Sequence, residues 1–131
     1  MLAIERASFG AEAWPRELFD ELLGDCPELF FVARIGLRLR GYIATCVVRQ
    51  GAEVVSIAVD PRRRGQGIAT AMMRHTLDSL RRRGIQRCWL TVRTGNVDAI
   101  RFYRGAGFVR VRRVKHYYGP GADGWRMRIA L

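Results

Sequence analysis

The segment Val55-Ser-Ile-Ala-Val-Asp-Pro-Arg-Arg-Arg-Gly-Gln-Gly-Ile-Ala-Thr70 constrains the fold more than any other part of the chain. A β-branched run ends at Asp60-Pro61, and past the turn the apolar spacing changes to that of a helix. Ala69, Met73, Leu77 and Leu80 form one stripe, while Arg74, Asp78, Arg81 and Arg82 fall mostly elsewhere. Arginines in the last turn suit the negative end of the helix dipole, and Gly84 can take the left-handed cap. A strand that enters a helix through a glycine turn is also an anion site in waiting. The first-turn N–H groups have no helical partner, and glycines at 65 and 67 let the backbone approach a phosphate with no Cβ in the way.

The rest of the sequence reads as one alternating α/β unit, with no repeat or low-complexity linker. Leu2 to Phe9 reads as a first strand, and Trp14-Pro15 opens a helix carrying Leu18, Phe19, Leu22 and Leu23, which Gly24-Asp25 closes. Leu29 to Ile35, Tyr42 to Arg49 and Glu53 to Val59 suggest an antiparallel meander. After the long helix, Cys88, Leu90 and Val92 alternate with Trp89, Thr91 and Arg93 as a strand should. Asn96 can cap a short helix bearing Ile100 and Tyr103. Phe108 to Arg113 and Trp125 to Leu131 form a last pair of strands, joined by a turn-rich loop from His116 to Gly124.

Composition removes several function classes. At 131 residues there is room for one domain, spanning 1–131. No apolar run nears the roughly 20 residues that span a bilayer, and Met1-Leu-Ala-Ile-Glu-Arg6 lacks the pattern of a secretion signal, so a cytoplasmic, membrane-free protein is expected. Cys26, Cys46 and Cys88 lie 20 and 42 positions apart, a spacing that fits neither a zinc site nor a disulfide framework. They read as buried hydrophobes, and no metal is expected. The formal net charge of +11 would draw any polyanion, but arginines scattered along the whole chain do not single out nucleic acid.

Three phosphate-binding patterns compete at residues 60–70. A P-loop needs Gly-Lys-Ser/Thr, and the chain has no Gly-Lys pair. A dinucleotide fingerprint from Gly65 would want glycine or alanine where Thr70 stands, and an acidic strand end near Gln86. What fits is Arg64-x-x-Gly67-x-Ala69 after Ala58-Val59-Asp60-Pro61. Here the chain resembles the GNAT superfamily of acyl-CoA N-acetyltransferases, whose acetyl-CoA motif is Gln/Arg-x-x-Gly-x-Gly/Ala. The resemblance extends to Leu90-x-Val92-Arg93-x-x-Asn96-x-x-Ala99-Ile100-x-x-Tyr103-x-x-x-Gly107-Phe108 and to the Tyr117-Tyr118-x-x-x-x-Asp123-Gly124 loop. Those two runs look most like the RimI-type protein N-terminal acetyltransferases.

The resemblance implies an α/β (α+β) fold in one GNAT-like domain, a central twisted mixed β-sheet with helices on both faces. It implies transfer of the acetyl group from acetyl-CoA, as cosubstrate, to a primary amine within a ternary complex. By the same likeness, Ile57, Ala58 and Val59 would offer backbone groups to the pantetheine arm, and a backbone N–H near Val59 would face the developing oxyanion. Gly65, Gln66, Gly67, Ile68, Ala69 and Thr70, with Arg64 at the rim, would surround the pyrophosphate, and Asn96 would touch the pantetheine or hold its turn. Tyr103 matches the family tyrosine that protonates the departing sulfur.

The base departs from the RimI pattern, because Thr91 stands where those enzymes carry glutamate. Glu53, four residues before Ile57, matches the place of the catalytic glutamate in the histone-type branch. As strand residues 53, 55, 57 and 59 share one face, Glu53 is expected to point toward the same cleft as Ile57 and Val59. The acceptor region is expected at Trp14 to Phe19 and at His116, Tyr117 and Tyr118. A peptide N-terminus, a lysine or a small-molecule amine all remain open as acceptor, with the protein a monomer or homodimer. A reading of another class is a basic RNA-binding or ribosome-binding module with a regulatory or vestigial CoA site, motivated by the charge of +11.

Overall fold

The computed structural model describes residues 2–6 and 29–131. Seven strands form one mixed sheet: β1 (Leu2–Arg6), β2 (Leu29–Ile35), β3 (Arg38–Val48), β4 (Gly51–Val59), β5 (Arg87–Arg93), β6 (Val109–Val114) and β7 (Gly124–Ala130), in the order β1-β2-β3-β4-β5-β7-β6. Among the described residues two helices interrupt them, α1 (Ile68–Arg82) after β4 and α2 (Val97–Gly105) after β5. The helix expected from Trp14, the end of the first strand at 7–9 and Cys26 lie outside the described residues.

β1 to β4 pair antiparallel, as the alternating runs separated by Gly36-Leu37 and Arg49-Gln50 require. The Gly36 turn is tighter than the sequence suggests, so β3 begins at Arg38 rather than Tyr42. Three residues of the expected stripe on α1, Met73, Leu77 and Leu80, are buried with Met72 against Ile43, Leu90 and Met127, while Ala69, next to the turn, is only half-buried. Removing any one of the buried side chains would cost about 2–5 kcal/mol. Helix α1 closes on Gly84 in the left-handed region, with Ile85 N donating to Leu80 O at 3.0 Å. In β5, residues 88, 90 and 92 are buried as the alternation predicts. Among the described residues both helices pack on the same side of the sheet, α2 through Ile100, Phe102 and Tyr103.

Two irregularities of β4 shape the site. The parallel pairing of β4 with β5 is confined to Ala52↔Cys88 and Glu53↔Trp89, after which the strands part. Opposite β3, the register steps from Val54↔Thr45 to Ser56↔Ala44, which leaves Val55 as the extra residue of a β-bulge.

Candidate active site

The bulge corrects one reading of the sequence. Residues 53, 55, 57 and 59 do not share a face, because one extra residue reverses the alternation. Ala52, Val54, Ile57 and Val59 join the helix-side core, whereas Ala58 packs with Tyr42 on the other side and the Tyr42 and Ser56 hydroxyls lie 2.8 Å apart. Glu53, in phase with Ser56 and Ala58, therefore belongs to the face opposite Ile57 and Val59.

On the helix side, the turn before α1 has the geometry that suits an anion. Asp60 accepts from Arg62 N at 3.0 Å and from Arg40 at 2.7 Å, and the backbone bond first, then the Arg40 bond, hold its carboxyl below the usual range. That anchors a short 3-10 turn, Pro61–Arg63, and leads the chain into Gly65 and Gly67 at φ 80° and 77°. A Cβ at either glycine would meet nothing within 4 Å, so the glycines serve backbone conformation and leave open space in front of the turn. Gly67 caps α1 with no side-chain bond, and the first turn of the helix holds no acidic residue. Its leading N–H groups remain without capping partners.

A groove of about 200 Å³ in front of this turn is lined by Val59, Arg63, Arg64, Gly65, Gly67, Ile68, Ala69, Thr70 and Phe102. Seven of the predicted contact residues, Val59, Arg64, Gly65, Gly67, Ile68, Ala69 and Thr70, thus come together. Gln66, Ile57 and Ala58 do not line it. Asn96 does not either: its side chain accepts from Ala99 N at 3.2 Å, so it caps α2 and holds the turn. Thr70 and Phe102 also line an adjoining cavity of about 570 Å³ between α1 and α2, into which Arg74, Arg81 and Arg101 bring positive charge. Sequence reasoning placed Arg63 at the rim of the turn but passed over Arg74, Arg81 and Arg101. The signal was available, since 70, 74, 77 and 81 repeat at helical spacing.

Tyr103, on α2, packs its ring 6.1 Å from Phe108, and burial pushes its phenol up to about 12, with the nearby Tyr118 phenol adding to the rise. Tyr118 belongs to the β6–β7 loop and donates to Thr91 O at 3.0 Å. The loop is braced by Asp123, whose carboxylate accepts from His116 N at 3.0 Å and Arg113 Nε at 2.7 Å. Those two bonds, the backbone one first, keep that carboxyl below its ordinary range.

From Thr91 the polar contacts pass to the opposite face. Arg126 donates to Thr91 Oγ1 at 3.2 Å and to Glu53 at 2.7 Å, and the Arg126 and Glu53 side chains are only 17% and 25% exposed. Thr91 stands directly across from Arg126, and Glu53 is in register with Trp89. One guanidinium thus ties the two places at which the sequence allows a carboxylate. Nothing in the sequence spacing pointed to Arg126, because its role depends on β7 lying beside β5. Among the described residues no group of three or more His, Cys, Asp or Glu is placed to hold a metal.

Residues 1–108 match the acetyltransferase (GNAT) family. The chain is 33% identical over 111 residues to the [ribosomal protein bS18]-alanine N-acetyltransferase of Escherichia coli K12, covering 85% of this chain and 74% of that one. It is 36% identical over 126 residues to the N-alpha-acetyltransferase RimI of Mycobacterium tuberculosis, covering 91% and 77%. The crystal structure of the E. coli ribosomal-protein-S18-alanine N-acetyltransferase is similar at a TM-score of 0.83 and 26% identity, over 99% of this chain and 94% of that one.

Proposed function

We propose that this chain, which belongs to the acetyltransferase (GNAT) family and is an acetyl-CoA-dependent N-acetyltransferase, acetylates the α-amine at the N-terminus of a protein. The choice of amine rests on its 33–36% identity with enzymes named for alanine N-acetylation of a ribosomal protein and for N-alpha acetylation. We read residues 1–131 as one catalytic domain working in the cytoplasm. Among the described residues no helix is long and apolar enough to cross a membrane.

The residues present suit the cosubstrate. The uncapped start of α1, with its two left-handed glycines and Arg63 and Arg64 at the rim, would hold the pyrophosphate, and Arg74, Arg81 and Arg101 would face the nucleotide end. Bound acetyl-CoA supplies a thioester as acyl donor. The parting of β4 and β5 beyond Glu53↔Trp89 leaves strand backbone N–H groups near Val59 free to donate to the acyl oxygen. Tyr103, its phenol raised to about 12, keeps its proton at every physiological pH and offers it to the departing sulfur.

The acceptor side is the face bearing Glu53 and Thr91. An α-amine titrates near 7.7–8.0, so a useful fraction is already neutral at pH 7.5, and Glu53 has only to take the proton released as the new N–C bond forms. Arg126 holds the Glu53 carboxylate in place for this. The test is thiol release from acetyl-CoA with peptides bearing a free N-terminus, the same peptides with a blocked N-terminus and one lysine, and small amines. Turnover confined to free N-termini supports the reading, and preferential turnover of lysine or small amines overturns it.

A further inference from the structure

The strand registers place four arginines on the acceptor side. Thr91, Arg126 and Arg112 form one cross-strand row, Glu53, Trp89, Arg128 and Val109 the next, and Arg93, Gly124 and Val114 a third. Directly paired residues of neighbouring strands project to the same face. Arg93, Arg112, Arg126 and Arg128 therefore share a face on which β4, β5, β6 and β7 supply a single carboxylate, Glu53. Arg126 is committed to that carboxylate. Among the described residues, no acidic group lies within 4 Å of Arg93, Arg112 or Arg128.

Among the described residues, the nearby acids are spent elsewhere. Asp123 is held by Arg113 and the His116 N–H, and Asp60 by Arg40 and the Arg62 N–H. Arg93 lies 4.7 Å over the Tyr118 ring and Arg128 5.3 Å from the Trp89 ring. A guanidinium resting on an aromatic face keeps its edge N–H donors available for a carboxylate. Arg93 has the decisive position: it is two residues beyond Thr91 on β5, on the open side of the β4–β5 separation, and its partner Tyr118 donates to Thr91 O. Two strand residues span roughly 7 Å. An extended peptide whose α-amine reaches Glu53 and Thr91 would carry its second and third side chains past Arg93.

We propose that this enzyme selects acceptors with an acidic residue directly after the N-terminal one, read by Arg93 with support from Arg112 and Arg128 in the two adjoining rows, and that it disfavours basic N-termini. The inference rests on the N-terminal reading above and adds to it the chemical class of the acceptor. It also opposes polycationic acceptors such as polyamines, which this face would repel.

The experiment uses peptides identical except for Asp-Glu, Ser-Ser or Lys-Lys at positions two and three, each made both with a free N-terminus and with a blocked N-terminus plus one lysine. The expected result is a kcat/KM for the acidic over the basic free-N-terminus peptide of roughly tenfold at low ionic strength, carried by KM and shrinking toward unity near 0.5 M salt as charges are screened. Arg93→Glu and the milder Arg93→Gln should collapse the preference, whereas Arg83→Glu, an equal charge reversal at the far end of α1, should keep it. Equal rates for acidic and basic peptides, a basic preference, or an acidic preference that survives both Arg93 variants would overturn the inference. If only the lysine peptides turn over but keep the acidic-over-basic order, the N-terminal reading falls and the charge selection stands. Turnover of free N-termini without regard to charge has the opposite meaning.

Discussion

Glu53→Gln separates the chemical role of this residue from its structural one. The substitution keeps the shape and an oxygen that can still accept from Arg126, and removes the negative charge from a pair 2.7 Å long whose side chains are largely sheltered. Loss of that pair should cost about 1 kcal/mol of stability, or about 3–4 °C in Tm for a chain of this size. The catalytic effect should be far larger. At pH 7.5 about a third of an α-amine is neutral but only about one lysine side chain in 800, a roughly 250-fold difference equivalent to about 3.3 kcal/mol. A base acting on an α-amine has only the later proton to remove, so the loss should fall near the lower end of the 10²–10⁴-fold range, at about a hundredfold in kcat/KM. The assay is initial thiol release from pH 6 to 10, with Tm measured on the same samples. If Glu53→Gln stays within about threefold of the parent across that range, Glu53 is not the base and its bond to Arg126 is only structural.

Tyr103→Phe should lower kcat by about a hundredfold with little change in peptide KM, and the parent enzyme should show no descending limb up to about pH 10, because a phenol raised to about 12 has not begun to ionise there. A limb near pH 9 that vanishes in Tyr103→Phe would contradict this. Gly67→Ala meets no atom within 4 Å, so its stability cost is that of the left-handed backbone alone, about 1–2 kcal/mol, whereas acetyl-CoA should bind at least about tenfold more weakly by calorimetry. Burial also raises the Cys88 thiol from 9.0 to about 12. With both Cys88 and Tyr103 raised, the folded chain holds more protons than the unfolded one between about pH 9 and 12. Their stabilisation is complete below that window and is lost as pH rises through it, so Tm should fall there, less steeply in Cys88→Ala.

The parts of the fold legible in the sequence are those in which one local rule acts alone. The stripe on α1, the alternation of β5, the Asn96 cap and the glycines before α1 each follow from spacing within about twenty residues, and the structure places them where that spacing requires. The glycine turn before α1 was legible for the same reason: its uncapped N–H groups are consecutive backbone groups. Arg126 was not, because its meaning depends on β7 returning to lie beside β5, 35 positions after Thr91. Nor was the adjoining cavity, whose arginines come from two helices that meet only in the folded chain.

The bulge at Val55 shows why the face of Glu53 escaped sequence reasoning and why it matters. In a regular strand, Glu53 would have pointed with Ile57 and Val59 into the helix-side core, where an ionised carboxylate is costly to bury. One extra residue lets the same nine-residue strand divide its work. Its second half gives Ile57 and Val59 to the apolar layer beneath α1, while its first half sends Glu53 to the far face, where Arg126 offsets the charge. The separation of β4 from β5 begins immediately after Glu53, so the chain changes faces at the point where it leaves its neighbour. The groove in front of α1 and the carboxylate thus lie on opposite sides of one opening in the sheet. On the function proposed above, each substrate enters from its own side and meets the other at the gap.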